Sequence, residues 1–123
     1  MSFAGRVNLQ FDQGSTWTIG PFQLLDSSGV PVPISAVAAK MRQNINDAAP
    51  FLTFTGTVND AVNGIGQATA TAAQTAALSL PVSSAGERDL WPYFYDVDVT
   101  LADTVTVVRI LDGVLLVSPA VDY

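Results

Sequence analysis

The chain carries eleven acidic and five basic residues in 123, a net charge of −6, with 49% hydrophobic and 13% charged residues and neither cysteine nor histidine. A chain of this length folds as one domain over residues 1–123, with a core of its own. Its negative charge opposes phosphate backbones and anionic bilayers, so neither nucleic acid nor a membrane is expected as a partner, and the high apolar fraction points to surface covered by another protein.

Short β-type runs separated by turn residues dominate the chain. Arg6 to Asp12 alternates Val7, Leu9 and Phe11 against Asn8 and Gln10, the pattern of a half-buried strand. Ser15 to Leu25 places Trp17 and Ile19 on one face and Thr16 and Thr18 on the other. Gly20-Pro21 in its middle predicts a bulge or a sheet edge. Asp26-Ser27-Ser28-Gly29 has turn chemistry, side-chain acceptors followed by a residue tolerant of positive φ. Val30-Pro31-Val32-Pro33-Ile34 then lacks two ladder donors and reads as an edge or a connection. Val30, Val32 and Ile34 are therefore candidates for pairing with a partner by strand addition.

Ala36 to Asn44 predicts a strand with Val37, Ala39 and Met41 on one face, and Phe51 to Thr57 another with Leu52 and Phe54 together. Asn59 to Gly66 reads as a loop and Gln67 to Thr71 as a short strand. Ala72 to Leu80 has the alanine content for one or two helical turns closed by Pro81. The polar stretch from Ser83 to Asp89 reads as an exposed loop. Tyr93, Tyr95, Val97, Val99 and Leu101 then alternate against Phe94, Asp96, Asp98 and Thr100, the clearest strand signal in the chain. Thr104 to Leu111 is its hairpin partner, and Asp112-Gly113 marks a tight turn or a bulge before Val114 to Ser118. The expected fold is all-β, an immunoglobulin-like antiparallel sandwich of about seven or eight strands with one short helical turn; an eight-stranded barrel is the alternative.

The residue inventory argues against catalysis. Without histidine the usual general base and any Ser-His-Asp triad are missing, and without cysteine so are thiolate nucleophiles, disulfides and zinc thiolate sites. Gly64-Ile65-Gly66 lacks the third glycine and the lysine of a phosphate loop. No catalytic residue, cofactor or metal ligand is assigned, and no enzymatic activity is expected. Asp96 and Asp98 share a strand face about 7 Å apart. They are read as members of an amphipathic strand paired with Arg42 or Arg109, against a cation site or an acid and base pair. In Trp91-Pro92-Tyr93-Phe94-Tyr95, Tyr93 and Tyr95 follow the core-side alternation. Trp91 lies outside it, either as an interface anchor or as a cap on the core. The N-terminus, MSFAGRVNLQFDQG, shows no secretory signal pattern, so synthesis in a cytoplasm is expected.

Tyr95-Asp96-Val97-Asp98-Val99-Thr100, the run from Val107 to Val114 and the segment from Val117 to Val121 resemble the small immunoglobulin-like structural proteins of tailed bacteriophages, and are similar to the N-terminal domain of baseplate upper proteins. Four further segments appear in the same order as in that group. They are Asp12-Gln13-Gly14-Ser15-Thr16-Trp17-Thr18, Asp26-Ser27-Ser28-Gly29-Val30-Pro31-Val32, Met41-Arg42, and Thr75-Ala76-Ala77-Leu78. The chain departs from the group by inserting Ser83 to Pro92 and by carrying Leu101-Ala102-Asp103 where a glycine turn is common. The resemblance implies a virion part made in the bacterial host, present in several copies, with other virion structural proteins as partners. It would be an adaptor on a tail, baseplate or fibre, or alternatively a decoration protein on the capsid. A carbohydrate-binding module that uses Trp91 and its neighbours on the host surface is a further alternative. The terminal segment, with Val121 and Tyr123, is the second expected docking edge.

Overall fold

Alternating burial is what organises this chain, and among the described residues it does so in eight strands and one short helix. A computed structural model describes residues 5–44, 46–47, 49–80 and 90–118. The strands are β1 (Gly5–Arg6), β2 (Leu9–Asp12), β3 (Trp17–Gln23), β4 (Ile34–Arg42), β5 (Leu52–Asp60), β6 (Ile65–Ala70), β7 (Trp91–Leu101) and β8 (Val107–Ser118), with helix α1 (Ala72–Ala76) between β6 and β7. They hydrogen-bond in the order β1-β8-β7-β4-β5-β6-β3, with β2 also beside β8. The all-β class with one short helical turn agrees with the periodicity of the sequence.

The arrangement is nearly barrel-shaped, one mixed sheet. Two features produce it. The start of β5 pairs with β4 (Leu52 opposite Met41, Phe54 opposite Ala39), and from Thr55 onward the strand pairs with β6 instead. One bent strand thus belongs to both halves of the molecule, the device by which sheets turn corners. The bend depends on Gly56, where any Cβ would lie 1.8 Å from the carbonyl oxygen of Val37 in β4. On the other side, β1 and β2 run parallel to β8, in register from Gly5 opposite Leu111 to Asp12 opposite Ser118. A tight turn then leads into β3, where the Trp17 indole N–H donates to the Asp12 carbonyl at 2.8 Å.

The core is the set of inward positions: Trp17, Ile19, Met41, Phe54, Val97, Val99, Leu115 and Val117 are all buried. Phe11 stacks on Trp17 with ring centroids 5.3 Å apart, and Phe51 on Tyr93 at 5.2 Å. Helix α1 is held by its ends. Thr71 and Gln74 form a reciprocal capping box, satisfying donors that helical hydrogen bonds cannot reach. The buried Thr75 hydroxyl donates to the Ser15 carbonyl at 2.8 Å and accepts from the Gly14 amide at 3.0 Å, pinning the helix to the β2–β3 turn.

Several boundaries differ from expectation. The segment expected as a loop from Asn59 to Gly66 is half strand: β5 runs to Asp60, β6 starts at Ile65, and four residues make the turn. Isolated Asn, Asp and Gly residues suggest a longer loop, but Val58 and Ile65 have a neighbouring strand to pair with, and pairing prevails over propensity. Asp112-Gly113 is no turn either, because β8 continues through it. The irregularity lies two residues earlier: Val97 opposes Leu111 and Asp98 opposes Arg109, so Ile110 is an extra residue in the ladder. The bulge turns Ile110 into the core and sets Arg109 across from Asp98. Gly20-Pro21 does mark a bulge, with a register shift between Ile19 and Phe22. Ser83 to Asp89 and Pro81 lie outside the described residues.

Candidate functional site

Three turns meet at one end of the molecule. The β3–β4 connection, the β5–β6 turn and the β7–β8 turn are joined through their main chains. Leu24 N–H donates to the Gly64 carbonyl (2.9 Å), Ile34 N–H to the Ala61 carbonyl (2.9 Å), and Ala102 N–H to the Pro33 carbonyl (3.2 Å). An aspartate organises each turn from within. Asp26 Oδ1 accepts from the amides of Ser28 and Val30. Asp60 accepts from the Asn63 amide and side chain. Asp103 Oδ1 accepts from Val105 and Thr106, and its other oxygen from the Thr106 hydroxyl. Those hydrogen bonds hold the Asp60 and Asp103 carboxyls below the ordinary carboxylate range, the Asn63 side chain contributing most at Asp60 and the Thr106 hydroxyl most at Asp103.

With their polar groups satisfied internally, these turns present apolar side chains outward. Leu25, Val30, Val62, Val105 and Val107 are five of the eight large hydrophobic residues exposed among those described. Val105 is 80% exposed and Val62 72%. Isolated exposed valines need no explanation, but their concentration at one end does.

The sequence-derived candidates divide. Val30 belongs to this end and is exposed; Val32 is half-buried against the core. Ile34 is only 2% exposed. It opens β4 opposite Leu101 and packs inward, so its side chain has no surface to offer a partner. The Val30 to Ile34 segment is a connection whose last residue already belongs to a central strand. Trp91 is the first residue of β7, paired with Val117, half-buried and packed on the core. Its indole N–H is buried and has no hydrogen-bond partner among the described residues. It packs at the margin of the core. Val121 and Tyr123 lie outside the described residues. Val62, Val105 and Val107 are not distinguished by the sequence. A valine beside Asn-Gly or Asp-Thr has no periodicity to separate it from a strand end, and only the meeting of three turns gives it meaning.

A second site lies on the outward face of β4, β7 and β8. Asp96, 9% exposed, takes Arg42 Nη1 at 2.8 Å and Arg109 Nη2 at 3.5 Å, both on Oδ2. Arg109 Nε reaches Asp98 Oδ1 at 3.1 Å, and Arg6 Nε lies 3.6 Å from Asp112 Oδ1. The expected pairing of Asp96 and Asp98 with Arg42 and Arg109 is therefore present. Hydrogen bonding to Asp98 raises the Arg109 pKa further. Among the described residues no group of three or more metal-ligating side chains occurs.

No model of a known protein family matches the chain, and no characterised protein matches it significantly.

Proposed function

We propose that this chain is a structural protein of a tailed bacteriophage, carried in several copies on the virion. In this reading it docks onto other virion components through the end that bears Leu25, Val30, Val62, Val105 and Val107. The observation that carries the reading is the gathering of five exposed apolar side chains at one end, where main-chain hydrogen bonds tie the β3–β4 connection to the two other turns. Such turns are ordered before a partner arrives, so little conformational entropy is lost on docking. A few apolar anchors in a rigid frame, repeated around a symmetric assembly, bind firmly even when each contact is weak.

The family resemblance supplies the virion setting, as an adaptor on the tail, baseplate or fibre; an immunoglobulin-like arrangement goes with the same resemblance. The parallel pairing of the first strand with the last, and an apolar end built from alternate turns, support it. A binding part is favoured over an enzyme because the chain has no histidine or cysteine and Asp96, the most enclosed carboxylate among the described residues, is engaged by two arginines. The test is incorporation. Wild-type chain is expected in purified virions by mass spectrometry, and a Val62→Glu/Val105→Glu double variant, folded by circular dichroism, is expected to be missing. Absence of the wild-type chain from virions, or incorporation of the double variant at wild-type level, overturns the reading. Electron microscopy of the labelled chain distinguishes a tail adaptor from a capsid decoration.

A further inference from the structure

The outward face of β4, β7 and β8 carries a concave groove of about 480 Å³, toward the end opposite the apolar turns, floored by Asp96 and walled by Arg6, Arg42, Arg109, Asp112 and Phe94. Its volume lies within the range of small-molecule sites, about 300–1,000 Å³. Four basic residues fall among those described, and three of them line this groove; the fourth, Lys40, sits opposite Asp96 on β4. The described cations are thus concentrated on a face that also holds Asp96, Asp98 and Asp112.

Charge decides what class of ligand fits. Each guanidinium already has a carboxylate: Arg42 and Arg109 on Asp96, Arg109 on Asp98, and Arg6 beside Asp112. An anionic ligand would have to displace an aspartate from its arginine, and a cationic one an arginine from its aspartate. Either exchange uncovers a partly enclosed charge. Hydrogen-bonding capacity nevertheless remains. Both arginine contacts to Asp96 fall on Oδ2, so its Oδ1 is unengaged among the described residues, as are Asp98 Oδ2 and Asp112 Oδ2. Each guanidinium has five N–H donors and uses only some of them. The groove therefore offers acceptors and donors side by side in a neutral whole. At its edge Phe94 is 37% exposed, an apolar ring beside a polar floor.

Vicinal hydroxyls each donate and accept, carry no charge, and sit on a ring whose C–H face packs on an aromatic side chain. We propose that this groove binds a neutral saccharide unit, with Asp96, Asp112 and Arg109 bridging adjacent hydroxyls and Phe94 against the ring face. The site is independent of the docking end and of the half-buried Trp91.

The test is a titration of ¹⁵N-labelled protein followed by NMR, reading backbone amides and the arginine Nε–H signals. The probes are glucose, galactose and N-acetylglucosamine with their disaccharides, and glucuronate and glucosamine as charged comparators. Saturable shifts at Arg42 Nε–H, Arg109 Nε–H and the Phe94 amide are expected with a neutral sugar and weaker ones with its charged relative. A tighter-binding disaccharide identifies a polysaccharide segment as the source, and equal affinities identify a single sugar unit. Phe94→Ala and Arg109→Gln, both at exposed positions, are expected to weaken that affinity roughly three- to tenfold each. The proposal is overturned by the absence of saturable shifts with every neutral sugar, by shifts confined to the apolar turns, by unchanged affinity in both variants, or by tighter binding of a charged comparator. None of these results alters the incorporation test, which reads the opposite end of the molecule.

Discussion

Tyr95→Phe isolates a single hydroxyl that closes the molecule. From the core side of β7, Tyr95 donates to the Val7 carbonyl at 2.5 Å, at the break between β1 and β2. Its cross-strand neighbour is Gly113, where any Cβ would stand 2.3 Å from the same oxygen and where φ is +153°. The N-terminal strand therefore lies close over β8 at this point, held from below by the phenol. Removing the hydroxyl without creating a cavity should cost about 1 kcal/mol at pH 7, the usual net worth of such a bond. Burial, with a smaller contribution from Asp112, pushes the Tyr95 pKa up to about 12 from its ordinary value of 10.0.

Between these two values the unfolded chain loses the proton while the folded chain keeps it, so stability is complete below pH 10 and falls as the pH rises toward 12. The full loss is on the order of 2–3 kcal/mol, the free-energy equivalent of about two pH units. The Tyr95→Phe variant escapes this loss. The wild type, ahead by about 1 kcal/mol at neutral pH, should be overtaken between about pH 10 and 11, where ionisation of the unfolded chain offsets the hydrogen bond. Tyr93, also raised by burial, ionises in both proteins and cancels in the comparison. Urea denaturation of both proteins from pH 7 to 11.5, with tyrosinate absorbance as a second readout, measures the difference. Two parallel stability curves with no crossing would refute the assignment of that bond and of the raised pKa to Tyr95.

Gly56→Ala should destabilise by at least about 2–3 kcal/mol, an overpacking cost in denaturant melts, because the added methyl meets backbone at 1.8 Å and not a side chain that can turn aside. Thr75→Val should cost about 1–3 kcal/mol by leaving the Gly14 amide and Ser15 carbonyl unpartnered, while Thr75→Ser stays near wild type in the same melts. Asp103→Asn should flatten the acid limb of a stability profile: a lowered carboxyl stabilises the fold above the unfolded value of 3.8 and that contribution disappears as pH falls through its lower folded value. An Asp103→Asn profile parallel to the wild type between pH 5 and 2 would count against it. Val105→Thr should leave stability within about 0.5 kcal/mol in thermal melts, since exposed positions rarely matter to folding, yet reduce virion incorporation.

The alternation Tyr93-Tyr95-Val97-Val99 determined the central strand without reference to anything distant, because a period of two leaves one face apolar whatever lies beside it. The same holds for Trp17 and Ile19 and for Leu52 and Phe54. The pairing of Asp96 with arginine was also legible, since acids on the polar face of an amphipathic strand are readily matched by basic side chains such as Arg42 and Arg109.

The tertiary structure alone decided which strands are neighbours. That β5 leaves β4 for β6 at Gly56, that β1 and β2 lie parallel to β8, and that Ile110 is an extra residue are facts about partners distant in sequence. Periodicity reports which face of a strand is buried and is silent on what buries it. The two candidate sites have the same origin. Val30, Val62 and Val105 come together because three separate turns close at one end, and Arg6, Arg109 and Arg42 share a groove because β1, β8, β7 and β4 stand side by side. Side-chain chemistry is written residue by residue, whereas a surface is made only when chain segments meet.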